Sequence, residues 1–164
     1  MSIFLKQLSV SDGIDIYEML QRIDSNENEF KNTANGLSKK EYHDWLYEQN
    51  EWAYGRALPD GYVPQTIYWL YDGEQPVGIG KIRHGLNNNS RKIGGNIGYA
   101  IDPIFRGKGY ATHLLSLLVV KAREMNISEI LLSVEKYNPA SKKVIEKNGG
   151  KLICENDERW FFEF

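Results

Sequence analysis

A chain of 164 residues is the length of one domain, spanning residues 1–164, and can bury roughly 70% of the surface its unfolded form exposes. Its 20 Lys and Arg against 22 Asp and Glu leave a formal charge of -2 with no basic block, which argues against nucleic acid as a partner. The amino terminus has no apolar signal-type core, the longest apolar run (Leu114 to Val120, interrupted by Ser116) is far too short for a bilayer, and the single cysteine has no partner for a disulfide or a metal, so a cytoplasmic protein without membrane or metal is expected.

Ile3 to Leu8 has the pattern of a short strand. Ser11 is placed to cap a first helix on which Ile16, Met19, Leu20 and Ile23 fall at helical spacing. Asp24 to Leu37 is polar and irregular, and its Asp24, Glu27 and Glu29 are either a solvated acidic loop or an attraction for a cationic amine. Ser38 to Glu41 fits a capping box ahead of a second helix that carries Tyr42, Trp45 and Leu46 on one face. Between Trp52 and Gln65, Gly55, Pro59, Gly61 and Pro64 stand among aromatics, which predicts a loop that either covers a cleft or packs on the core. Thr66 to Tyr71 and Gln75 to His84 form a hairpin around Asp72-Gly73, and Gly85 to Lys92 is a polar connection to a strand ending at Asp102.

The chain is organised around Gly95 to Met125. A strand ends at Pro103, and apolar residues then recur at helical spacing (Ala111, Leu114, Leu115, Leu118, Ala122, Met125). Between them lies Arg106-Gly107-Lys108-Gly109-Tyr110-Ala111-Thr112, a basic, glycine-rich turn that opens the helix. The first amides of a helix lack internal partners and sit at the positive end of its dipole, so they attract anions. Glycines at 107 and 109 let a bulky diphosphate approach the backbone, and Arg106 and Lys108 add full charge. A pyrophosphate site is therefore expected. Thr112 stands where a dinucleotide fingerprint needs its third glycine, and a Walker loop is absent.

Beyond the motif, Glu129 to Glu135 is a continuous apolar run that suits a buried strand beside parallel neighbours. Asn138 is a candidate cap for a helix with Pro139 at its first position, and Asn148-Gly149-Gly150 ends that helix. Lys151 to Glu155 and Glu158 to Phe164 close as a hairpin around Asn156-Asp157, with Cys154 expected as a small buried hydrophobe. The aromatic last strand (Trp160, Phe161, Phe162, Phe164) either fills the core or pairs at an edge in a homodimer.

Arg106 to Ala111 resembles motif A of the GNAT N-acetyltransferase superfamily, R/Q-x-x-G-x-G/A, and Asn138 to Gly149 is similar to its motif B. The element order resembles that family over nearly the whole chain. The resemblance implies an α/β (α+β) GNAT acyltransferase fold, a mixed central sheet of about seven strands with about four helices on both faces. It implies acetyl-CoA as cosubstrate, its pyrophosphate held by Arg106, Gly107, Lys108, Gly109, Tyr110, Ala111 and Thr112. Its pantetheine and thioester would lie between two splayed strands against the main chain of Ala100, Ile101 and Asp102, with Asn138 in contact, in capping its helix, or in both.

The expected activity is direct transfer of an acetyl group to a primary amine, on a small molecule or a peptide, in a ternary complex. Two departures from the family pattern bear on it. The Tyr that often protonates the leaving thiolate is Ile145 here, and the Glu that often accepts the amine proton is Asn96. A thiol with a pKa near 8.5 can leave unassisted near neutral pH. The base is then sought in Glu135, at the end of a strand beside the splay, or His84, whose reference pKa of about 6.5 suits the task. His43 and His113 read as structural. The competing expectation is a catalytically weak or inactive acyl-CoA-binding sensor module.

Overall fold

The computed structural model describes residues 2–164. The chain begins with β1 (Ile3–Gln7), α1 (Ile14–Arg22), a ribbon of β2 (Asn26–Glu27) and β3 (Phe30–Lys31), and α2 (Lys39–Ala53). It continues through β4 (Gln65–Asp72), β5 (Gln75–Arg83), α3 (Asn88–Lys92), β6 (Ile97–Ile101), a 3-10 turn (Pro103–Phe105) and α4 (Tyr110–Glu124). It closes with β7 (Leu131–Glu135), α5 (Pro139–Lys147), β8 (Lys151–Glu155) and β9 (Arg159–Glu163).

Seven of these strands make two sheets, β1-β4-β5-β6 and β7-β9-β8. Every ladder in them is antiparallel, and β7, expected beside parallel neighbours, pairs antiparallel with β9. β4 shows why the molecule has three layers. Successive side chains on a strand point to opposite faces, so Ile67, Trp69 and Tyr71 pack with α1 and α2 while Tyr68 and Leu70 pack with α4 and α5. Both faces are covered and the strand reads as an unbroken apolar run. On β5, a Cβ added at Gly80 would meet the Leu118 side chain at 2.6 Å, so α4 lies almost on the strand's backbone.

Among the described residues the helices number five, because α3 falls in the expected polar connection. The Asn87 side chain accepts from Ser90 N–H at 2.9 Å, and the Ser90 hydroxyl accepts from Asn87 N–H. Ser11 caps nothing. Its hydroxyl bonds that of Ser9, and α1 starts after Gly13 without a side-chain cap, because Asp12 is turned inward to accept from Trp69 Nε1 at 2.8 Å. The capping box of Ser38 and Glu41 forms as expected. Within the irregular segment, Asn28 and Glu29 take positive φ angles of 47° and 68°, the geometry that lets a two-residue turn join β2 to β3. Cys154 is exposed on β8, not buried, since β8 is the outer strand of its sheet. β9 is the inner strand, and its Trp160 and Phe162 pack with the core, Phe162 almost wholly buried. Among the described residues, no helix is long and apolar enough to cross a membrane.

Candidate active site

The two sheets touch at one point and part beyond it. At the contact, Asn96 N–H donates to the Leu131 carbonyl at 2.6 Å, and the Asn96 side chain accepts from Leu131 N–H at 2.9 Å and donates to the Arg83 carbonyl at 3.2 Å. Beside it, a Cβ on Gly95 would lie 2.0 Å from the Leu131 carbonyl oxygen, so only glycine permits the approach. Asn96 is therefore a clasp between the sheets. Asn96→Ala is expected to destabilise the fold by about 2–4 kcal/mol in urea unfolding, because it leaves two buried main-chain groups without partners.

Past the clasp, β6 and β7 share no ladder among the described residues, and a cleft of about 340 Å³ opens between them. The β5–β6 register decides what β6 offers to it. Asp102 N–H bonds the Val77 carbonyl and Asn96 C=O accepts from Arg83 N–H, so the alternate residues 98 and 100 also turn their main chain toward β5. The main chain of Ile97, Tyr99 and Ile101 faces the cleft. Ala100 lines the cleft but spends its peptide groups on β5. Asp102 lies outside it, fully buried, with its carboxylate bound by Arg22 at 2.7 and 2.9 Å and by Ile104 N–H. Of the three expected main-chain contacts only Ile101 faces inward, and Tyr99 and Ile97 join it.

At one end the cleft reaches the glycine-rich turn, represented on its wall by Arg106 and Ala111. Gly107 and Gly109 adopt φ angles of 75° and 83°, and a Cβ on either would meet nothing within 4 Å. The backbone is thus bare and bent as a diphosphate requires. The first bond inside α4 runs from His113 N–H to Gly109 C=O, leaving the amides of Tyr110, Ala111 and Thr112 without helical partners. Tyr110 donates to Asp72 at 2.6 Å and so ties the turn to the β4–β5 hairpin. Lys108 rests over the Phe105 ring, and the Thr112 carbonyl accepts from the Asn148 side chain. Arg106 is paired with Glu27 of β2 at 3.0 Å, an ion pair that an incoming phosphate would compete for.

The other wall brings Glu135 into the cleft. Its carboxylate is 5% exposed, its Oε1 has no hydrogen-bond partner, and Arg159 of β9 stands 3.7 Å away. Arg159 also bonds Glu29 at 2.7 Å and the Ser133 hydroxyl at 2.8 and 3.1 Å, so it braces the β2–β3 ribbon against β7. Glu27 and Glu29 are therefore held by arginines at the rim, whereas Asp24 is exposed. His84 is not brought to the site. Its Nε2 pairs with the Thr66 hydroxyl at 2.6 Å, it does not line the cleft, and burial lowers its pKa. His43 and His113 are exposed on α2 and α4.

Asn138 lines the cleft and caps α5, its side chain accepting from Ser141 N–H at 3.3 Å. Ser141, one turn on, meets Tyr99 across the gap, hydroxyl to hydroxyl at 2.7 Å, and both line the cleft. Burial raises the Tyr99 phenol to about 12. Reading by motif misses this pair, since nothing in the sequence relates residues 42 positions apart. Ile145, at the family's Tyr position, is buried against the core, and only the side of α5 that carries Ser141 offers hydroxyl chemistry.

Comparison with known proteins agrees with this geometry. No curated protein matches the chain. Among solved structures, the chain resembles RimL, a ribosomal L7/L12 alpha-N-protein acetyltransferase in complex with coenzyme A, with a TM-score of 0.72 and 14% identity over 100% of this chain and 94% of that one. A GNAT-family acetyltransferase from Streptococcus pneumoniae gives 0.64 and 18% over 99% of each chain. The Campylobacter jejuni N-acetyltransferase PseH in complex with acetyl coenzyme A gives 0.60 and 14%, covering 99% of this chain and 98% of that one. The model of the acetyltransferase (GNAT) domain matches residues 3–151, and the chain belongs to the GNAT acetyltransferase family.

Proposed function

We propose that the protein is an acetyl-CoA-dependent N-acetyltransferase that passes the acetyl group directly to a primary amine. The observation that carries the reading is the cleft itself, which joins a bare anion-binding turn at one end to a buried carboxylate, with one oxygen that accepts no hydrogen bond, at the other. The residues present suit the cosubstrate: the amides of Gly107 to Thr112, with Arg106 and Lys108, for the pyrophosphate, and the cleft-facing main chain of Tyr99 and the N–H of Ile101, whose carbonyl accepts from Arg106 Nε at 3.3 Å, with Asn138, along the pantetheine arm. Acetyl-CoA supplies an activated thioester.

The chain's own part is to hold, to polarise and to move protons. Cleft-facing amides of β6 are the donors available to the oxyanion that develops on the acetyl carbonyl. Glu135 accepts the proton that the ammonium must lose. The Tyr99–Ser141 pair stays protonated and serves as the donor to the departing thiolate, in place of the absent Tyr. Ser141→Ala and Tyr99→Phe are each expected to lower kcat about 10-fold, less than a general acid's usual share because a thiolate is an undemanding leaving group. Steady-state kinetics with a thiol-release readout check this.

The reading as a whole is tested by calorimetric titration with acetyl-CoA, followed by thiol release over a panel of primary amines. Micromolar binding with amine-dependent release supports the enzyme. Tight binding with no turnover of any amine makes the protein an acyl-CoA-binding module instead.

A further inference from the structure

A second cavity, of about 390 Å³, opens beside the cleft and shares Lys31, Lys81 and Arg83 with it. Its charge is one-sided. Lys31, Lys81, Arg83 and Lys92 line it, and no Asp or Glu does. Among the described residues none of the four cations enters an ion pair. Two of them touch carbonyls: Lys81 Nζ, which also lies 4.6 Å from the Phe30 ring centroid, donates to Lys31 C=O at 2.5 Å, and Arg83 Nη1 to Gly95 C=O at 2.8 Å. Carbonyls satisfy hydrogen bonds without neutralising charge. Burial, with Arg83 alongside, lowers the Lys81 ammonium to about 7, and burial lowers Arg83 as well.

An independent feature points the same way. Gln49 of α2, 4% exposed, stands on the cavity wall. Its Oε1 accepts from Gln65, while its Nε2 donates to nothing. Buried amide donors are almost always paired in native proteins, so an unpaired one against a cavity marks a place for an acceptor. The cavity thus offers clustered cations and a spare neutral donor, and lacks only an anion.

We propose that this cavity is the subsite for an anionic group, a carboxylate or a phosphate, carried by the acyl acceptor, so that the substrate is an amine with an acidic head. The inference rests on the acetyltransferase reading. Because Lys31, Lys81 and Arg83 border both spaces, one small molecule can lie across them. Its ammonium then meets Glu29 and Glu135 in the cleft, while its anion meets Arg83, the Lys81 ammonium and Gln49 Nε2 in the second cavity. Acids line only the cleft end of that path and cations alone line the other end, an asymmetry that favours such a molecule over a simple polyamine. Arg83 is suited to either oxyanion, since a guanidinium fork binds both in bidentate fashion.

The test compares paired acceptors that differ only in the anion: 3-aminopropyl phosphate against 3-amino-1-propanol, and 4-aminobutanoate against its amide, with acetyl-CoA binding measured in parallel. The anionic members are expected to show kcat/KM about 10- to 100-fold higher, the size of one or two charge-assisted hydrogen bonds. Preference within the two pairs tells phosphate from carboxylate. In Arg83→Met and Gln49→Met the advantage should shrink while acetyl-CoA affinity holds. A direct readout needs no turnover: inorganic phosphate or succinate should raise the wild-type Tm beyond the effect of sodium chloride at equal ionic strength, and should do so less in both variants. Equal use of charged and neutral amines, or a Tm response to phosphate and succinate no larger than to chloride, overturns the subsite even where acetyl-CoA binds. Failure to bind acetyl-CoA refutes the enzyme reading instead, and the Tm series still judges the cavity.

Discussion

Gly109→Trp is expected to lower the affinity for acetyl-CoA by about 100-fold or more in calorimetric titration, the equivalent of losing two charge-assisted hydrogen bonds to phosphate. The reasoning depends on where the new side chain goes. A Cβ at Gly109 meets no atom within 4 Å, so the indole displaces nothing of the protein and occupies space in front of the α4 amides. Its cost to the fold is that of a left-handed residue, about 1–2 kcal/mol. Gly36 supplies the control. It has the same backbone geometry, φ 86° against 83°, equally open surroundings, and a position ahead of α2 that lines no part of the cleft. Gly36→Trp should lose similar stability and retain acetyl-CoA binding. Equal loss of binding in both variants would sink the assignment of the turn, since strain alone would then account for it.

The parts of this site that the sequence displays are those in which function follows from local chain geometry. Arg106 to Thr112 announces itself because a strand, a glycine-rich turn and a helix start must be contiguous to make an anion site, and Asn138 because a cap must precede its helix. The unbroken apolar run along β4 likewise belongs to a strand covered on both faces. What stayed hidden depends on pairing between distant segments. The β5–β6 register turns the main chain of Tyr99 toward the cleft and that of Asp102 away, and register is set by contacts across 20 or so residues that no local pattern encodes. Asp102 illustrates the ambiguity: a carboxylate at a strand end beside a cofactor turn reads as part of the site, yet Arg22, 80 positions away, engages it. Arg159 is hidden for the same reason. It looks like one more charge on a terminal strand until the sheet order β7-β9-β8 sets it next to Glu135 and Glu29. The basic cavity is the extreme case, assembled from β3, β5 and the α3 segment, each with an unremarkable charge of its own.

Glu135→Gln is expected to reduce kcat by about 100-fold or more with little change in acetyl-CoA affinity, the share usually supplied by a positioned general base. The substitution is close to isosteric, and Arg159 keeps Glu29 and Ser133 as partners, so the brace across the cleft survives. What is lost is the charge on Oε1, which accepts no hydrogen bond in the protein and stands 3.7 Å from Arg159 Nη1. Asn96 cannot take over, because its amide is committed to Leu131 and Arg83, and His84 is turned to Thr66. The defect should therefore shrink as pH rises toward the pKa of the acceptor amine, where free amine is present without help, and the ratio of wild-type to variant kcat/KM should fall steadily over that range. A ratio that stays constant with pH would mean that Glu135 orients the acceptor and removes no proton. An unchanged kcat would move the base to another group lining the cleft, with Lys81, whose ammonium is lowered to about 7, next in order.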